Sequence, residues 1–153
     1  IEMTTINRLL SAAASAVLLA TAAGPAFAQD DDGPAITITL NTANPDEGAC
    51  EVIYELSNNT DIPLDNVVYS FVVLDADGVV QLIQPLNFGF LKAQHTKYVA
   101  VDVARDGVAP ACDDIFGIVV NDSGGCDRVD DGQDLRAMCR NFDTASRGAI
   151  TLD

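Results

Sequence analysis

Tryptophan is absent from this chain of 153 residues, histidine occurs once, and basic residues are scarce: 8 Lys and Arg stand against 23 Asp and Glu. Without Trp there is no indole platform on which a sugar ring could be seated. With one histidine, His95, any Ser–His–Asp catalysis would depend on that residue, and no Gly-x-Ser-x-Gly elbow accompanies it. The shortage of cations leaves a formal net charge of −15, which repels nucleic acid and anionic membrane surfaces. A long apolar run is missing too. Residues 9–23 are uncharged and rich in Ala and Leu, but Gly24 and Pro25 end them short of the roughly 20 residues a membrane span requires.

What is present points to one folded, exported domain. Apolar residues make up 48% of the chain and charged ones only 20%, which excludes general disorder. The length allows a single domain plus a targeting segment. Residues 1–28 read as a secretory signal peptide: Arg8 supplies the positive region, residues 9–23 the apolar region, and Ala26-Phe27-Ala28 the small-x-small cleavage pattern. Cleavage is expected after Ala28. Asn7 precedes Arg8, so the twin-Arg motif is missing. Residues 29–34, with Asp30, Asp31 and Asp32, read as a disordered acidic leader, and residues 35–153 as the domain. The expected location is periplasmic or secreted, with no membrane insertion after cleavage.

All four cysteines, Cys50, Cys112, Cys126 and Cys139, fall in the exported part. An even count in an oxidising compartment implies two disulfides. Three pairings are open, and spacing does not choose among them. Cys50–Cys112 with Cys126–Cys139 is the expected pairing: the first pair would join the start of one strand to the approach to another, and the second would close a short polar loop. The spacings contain no Cys-x-x-Cys pair, and His95 is distant, so zinc is not implied. No cofactor is expected.

The mature chain reads as short strands separated by turns. Ile36-Thr37-Ile38-Thr39-Leu40 alternates, as does the run from Cys50 to Leu56. Residues 67–74 form a nearly continuous β-branched and aromatic run, with both faces covered or half covered. Asp75-Ala76-Asp77-Gly78 reads as a hairpin turn before a return strand over 79–83. Leu86, Phe88 and Phe90 alternate, residues 96–103 form another strand, and residues 115–120 one more. Residues 134–142 read as the one short helix, with Asp134 as N-cap, and residues 148–152 as a last strand. Six or seven strands at about ten-residue spacing predict an all-β, immunoglobulin-like antiparallel sandwich. The expected core comprises Ile38, Val52, Tyr54, Leu56, Val67, Tyr69, Phe71, Val73 and Val101.

Candidate chemistry is sparse. Asp75-x-Asp77-Gly78 departs from a calcium loop, since the Gly comes two places early and Leu86 stands where a bidentate Glu belongs. Asp127, Asp130, Asp131 and Asp134 cluster inside the expected Cys126–Cys139 loop and offer calcium or a small ligand an alternative site. Glu51 and Glu55 share one strand face and are the carboxylates a glycosidase would use. Asn58-x-Thr60 and Asn121-x-Ser123 are formal glycosylation sequons, although Asn121 and Asp122 fit turn capping.

Two resemblances follow from these residues. The segment from Asn58 to Val103 resembles the FxLYD type of β-sandwich domain of exported bacterial proteins, through Phe71-Val72-Val73-Leu74-Asp75 and Asp77-Gly78, with Val73 and Leu74 in place of Leu and Tyr. Nearly the whole mature chain is similar to small secreted bacterial proteins with four Cys, often labelled as carrying a Tat-type signal. That pattern includes Gly48-Ala49-Cys50, Leu86-Asn87-Phe88-Gly89, Cys112, Val119-Val120-Asn121-Asp122, Cys126 and Cys139. The resemblance implies an accessory role at the cell envelope beside proton-channel pairs of the TolQ/TolR or ExbB/ExbD type. It names no catalytic residue. A protein-interaction domain is therefore the first expectation, a ligand-binding module on the acidic loop the second, and an unrecognised hydrolase the third.

Overall fold

The computed structural model describes residues 33–153. The expected signal peptide over 1–28 and most of the leader over 29–34 lie outside the described residues. Eight strands form two four-stranded sheets: β1 (Ile36–Asp46), β2 (Ala49–Asn58), β3 (Leu64–Leu74), β4 (Val80–Asn87), β5 (His95–Asp102), β6 (Gly117–Arg128), β7 (Phe142–Ser146) and β8 (Thr151–Leu152). The first sheet has the order β5-β2-β1-β7 and the second β4-β3-β6-β8. This is the all-β sandwich expected from the alternating patterns. Its first six strands pair antiparallel, whereas β7 joins β1 and β8 joins β6 in parallel. The chain thus changes sheets between Ser146 and Thr151, with Ile150 buried at the crossing.

Alternation explains the core directly. Ile36, Ile38 and Leu40 of β1 and Cys50, Val52, Tyr54 and Leu56 of β2 are buried, as are Val67, Tyr69, Phe71 and Val73 of β3. Successive strand residues point to opposite faces, so one apolar stripe per strand suffices. Val101 alone of the expected core is only half-buried. Three rings hold the two sheets together: Phe71 lies 4.7 Å from Tyr54, and Phe88 lies 6.0 Å from Phe71 and 6.1 Å from Tyr54.

Both disulfides form in the expected pairing, Cys50–Cys112 and Cys126–Cys139. The Tyr69 hydroxyl donates to the Cys139 carbonyl at 2.8 Å. Burial, reinforced by the charge of Asp122, raises the Tyr69 pKa and keeps that donor protonated.

Three local expectations need correction. The helix read over 134–142 is a single turn, α1 (Arg136–Cys139), and Leu135 rather than Asp134 precedes it. Phe142 instead opens β7, because the Asn141 carbonyl accepts from the amides of Ala35 and Ile36 and draws the chain onto the β1 edge. Strand β6 runs on to Arg128 through a polar, Gly-containing stretch. Gly125 is required there: a Cβ would meet the Asn66 carbonyl oxygen at 2.7 Å. Finally, the alternation through Leu86, Phe88 and Phe90 breaks at Gly89, whose φ of +64° turns the chain. Phe88 and Leu91 are buried, and Phe90 is left exposed.

Candidate functional site

The inner face of β3 fills the core, and its outer face is left without a covering layer among the described residues. Val72 stands opposite Ile83 of β4 and Val119 of β6, forming one cross-strand row. Leu74, opposite Val80 and Gly117, forms the next. Ile83 and Val80 are exposed to 46% and 51%, and Val72, Leu74 and Val119 are half-buried. On β3, β4 and β6 neither row contains a charged residue; beside Val119 the first row ends at Asp153, whose amide donates to the Ile118 carbonyl and whose carbonyl accepts from the Val120 amide. Further charge lies one row on, where Ser70 lies opposite Pro85 and Asp122, and at the β4 edge. There the Arg105 guanidinium donates to the Ile83 carbonyl, and Gln84 reaches the Asp102 carbonyl at 3.0 Å. Arg105 is carried by a two-residue turn in which Asp106 and Gly107 both have positive φ, closed by reciprocal amide bonds between Arg105 and Val108. The β4 edge is therefore guarded by an arginine, and an apolar face with a polar rim lies beside it.

The acidic loop does not gather its carboxylates. Asp134 is held by Arg136 through both oxygens, at 2.7–3.1 Å. Asp131 lies 3.7 Å from Arg128, and Asp127 accepts from the Asn66 side chain at 3.0 Å. Among the described residues, no group of three or more His, Cys, Asp or Glu side chains could hold a metal ion. The Arg136 side chain and amide lower the Asp134 pKa to about 2. Asp122 is lowered likewise, first by the Arg140 side chain and then by the Ser123 amide. A carboxyl depressed on folding adds stability that is complete above its unfolded value and lost as pH falls through the folded one. Asp134→Asn should therefore lower the melting temperature at pH 6, and its gap from the unchanged protein should close between about pH 4 and 2. A melting series across that range checks this; a gap constant with pH would refute the contribution of the ion pair.

The remaining sequence candidates are placed apart. Glu55 is bound by Arg147 at 3.0 Å and by Asn41 at 3.4 Å. Glu51 lies four residues away on the same strand, about 13 Å by strand rise, beyond the roughly 5–9.5 Å between paired glycosidase carboxyls. Asp75 closes the expected hairpin turn, its side chain accepting from the amides of Asp77 and Val79. Asn58 of the first sequon is buried and structural: its amide donates to the carbonyls of Ile62 and Lys92, and its oxygen accepts from Thr60. The second sequon lies inside β6 and not at a turn: Asp122 pairs with Ser70 of β3, and its side chain accepts from the Ser123 amide at 2.7 Å at an irregularity of the register. His95 opens β5 at the surface.

No helix among the described residues is long and apolar enough to cross a membrane. Compared with known proteins, the chain matches no family model, no curated sequence and no solved structure.

Proposed function

We propose that this is a non-catalytic, exported interaction domain that docks a protein partner on the outer face of the second sheet. The observation that carries the reading is the pair of apolar rows that β3, β4 and β6 build on Val72 and Leu74, half-buried to exposed on a chain of net charge −15. An apolar patch rimmed by polar groups is the ordinary form of a docking surface. Two disulfides support export to an oxidising compartment, and the reading of residues 1–28 as a signal peptide supports the periplasm or the medium. The resemblance to small secreted bacterial proteins supports an accessory place beside a proton-channel complex of the TolQ/TolR or ExbB/ExbD type.

In-cell crosslinking of the tagged, exported protein tests the proposal. A photo-crosslinker in place of Val119 should capture one defined envelope component, a proton-channel subunit on this reading. Ile83→Asp should abolish the capture, because it places a charge beside Val72 in the apolar part of the row. Its melting temperature should stay close to that of the unchanged protein, since the side chain is already exposed. Equal capture by Ile83→Asp, or capture of abundant bystanders alone, would refute the docking face.

A further inference from the structure

The few cations of this chain are distributed in a way that its acidity does not explain. Each described arginine is within salt-bridge distance of a carboxylate: Arg105 of Asp106, Arg128 of Asp131, Arg136 of Asp134, Arg140 of Asp122 and Arg147 of Glu55. The only two lysines of the sequence, Lys92 and Lys97, form no such pair among the described residues. Together with His95, the only histidine, they line one cleft of about 300 Å³ completed by Phe90, Leu91 and Thr96. Among the described residues, the lysine charge that has no carboxylate partner is thus collected at one concave place, against an exposed ring.

The cleft is built rather than incidental. Its floor is pinned by reciprocal amide bonds between Leu64 and Leu91, at 2.9 and 2.8 Å. Asn58, fully inside the domain, holds the Lys92 carbonyl at 3.1 Å. The Gln94 amide donates to the Thr60 carbonyl, and its side chain to the Asn59 carbonyl at 2.8 Å. Lys97 is anchored as well: its ammonium donates to the Phe88 carbonyl at 2.7 Å and reaches the Phe90 carbonyl at 3.5 Å. An ammonium has three donors, so one remains for a ligand. The turn at Gly89 sends Phe90 outward to 46% exposure while Phe88 and Leu91 stay buried. The Gln94 side chain also donates to the Asp61 carboxylate at 3.4 Å.

We propose that this cleft binds a small amphipathic monoanion, a carboxylate with an aliphatic or aromatic body. The carboxylate would bridge Lys92 and Lys97, and the body would lie on Phe90. Four features select this class. Two ammonium groups beside an imidazole offer donors to an anionic head. The exposed ring offers area to an apolar body. A net charge of −15 repels a polyanion far more than a single charge, and a cleft at the small end of the ligand-pocket range admits one ring or a short chain. The site lies at the β4–β5 connection and does not include the apolar rows, so it stands or falls independently of the docking proposal.

The test uses the exported domain with sodium octanoate as probe, followed by amide chemical shifts. Saturable shifts confined to residues 58–64 and 88–98 are the expected result. Inorganic phosphate and the cation octyltrimethylammonium should not reproduce them. Lys92→Glu, at an exposed side chain, should weaken octanoate about ten-fold or more, and Phe90→Ala should weaken it without altering the fold. Lys97→Met serves as a second charge deletion, accepted only if its amide spectrum stays folded. Shifts spread over the apolar rows, equal binding of the cation, or an unchanged affinity in Lys92→Glu would each overturn the proposal.

Discussion

A chain carrying Cys50→Ala and Cys112→Ala is expected to lose about 4 kcal/mol of stability, and one carrying Cys126→Ala and Cys139→Ala about 3 kcal/mol. The two bridges differ chiefly in the length of chain they close, with sequence separations of 62 and 13. Cross-linking restricts the unfolded ensemble, and the restriction grows with the logarithm of the closed loop. The longer bridge also spans more of the fold. It ties the first residues of β2 to the 3-10 turn Cys112–Asp114 that feeds β6, so it couples a strand of one sheet to the entry of the other. Urea midpoints of the two double variants measure both losses. A larger loss from the shorter bridge would show that local packing around α1, where Tyr69 bonds the Cys139 carbonyl, outweighs loop closure. On either outcome, stability would fall when the protein is made in a reducing compartment, as expected of a domain held by two disulfides.

How far the sequence reaches depends on whether a feature is local. The strands β1 and β2 are legible because Ile36, Ile38 and Leu40, and then Cys50, Val52, Tyr54 and Leu56, carry their burial in their own alternation. The last half of β6 is not legible. Apart from the disulfide-bonded Cys126 its residues are polar or glycine, and they join the sheet because Gly124 and Gly125 let β3 approach at Val68 and Asn66. Strand β7 is hidden for a similar reason: Phe142 and its neighbours extend only because β1 offers a free edge. The acidic loop misleads because its arginines, Arg128 and Arg136, are in the sequence but their orientation is not. The apolar face was half visible in the run of residues 67–74, whose second face needs a partner or water. The lysine cleft had a plain signal, both lysines and the one histidine within six positions. What makes it meaningful, the pairing of every described arginine elsewhere, is a property of the fold and not of the sequence.

Phe71→Ala is expected to cost about 4 kcal/mol, the largest effect of any single side chain named here. Its ring contacts Tyr54 from the opposite sheet and Phe88 from the connection between β4 and β5, so deletion removes buried area and leaves a cavity that two rigid sheets cannot close. Phe71→Leu, which keeps most of the volume, should cost about 1–2 kcal/mol. Denaturant unfolding of both variants gives the comparison; a loss from Phe71→Ala below about 1.5 kcal/mol would mean that the sheets close around the void. The contrast with Ile83→Asp is the informative part. Phe71 and Val72 are neighbours on β3, pointing to opposite faces, and Ile83 lies directly across from Val72. An inward change should therefore remove stability and leave partner capture proportional to the folded fraction. An outward change one position away in the same sheet should remove capture and leave unfolding almost untouched. A sheet whose two apolar faces respond in these opposite ways has one face for folding and one for binding.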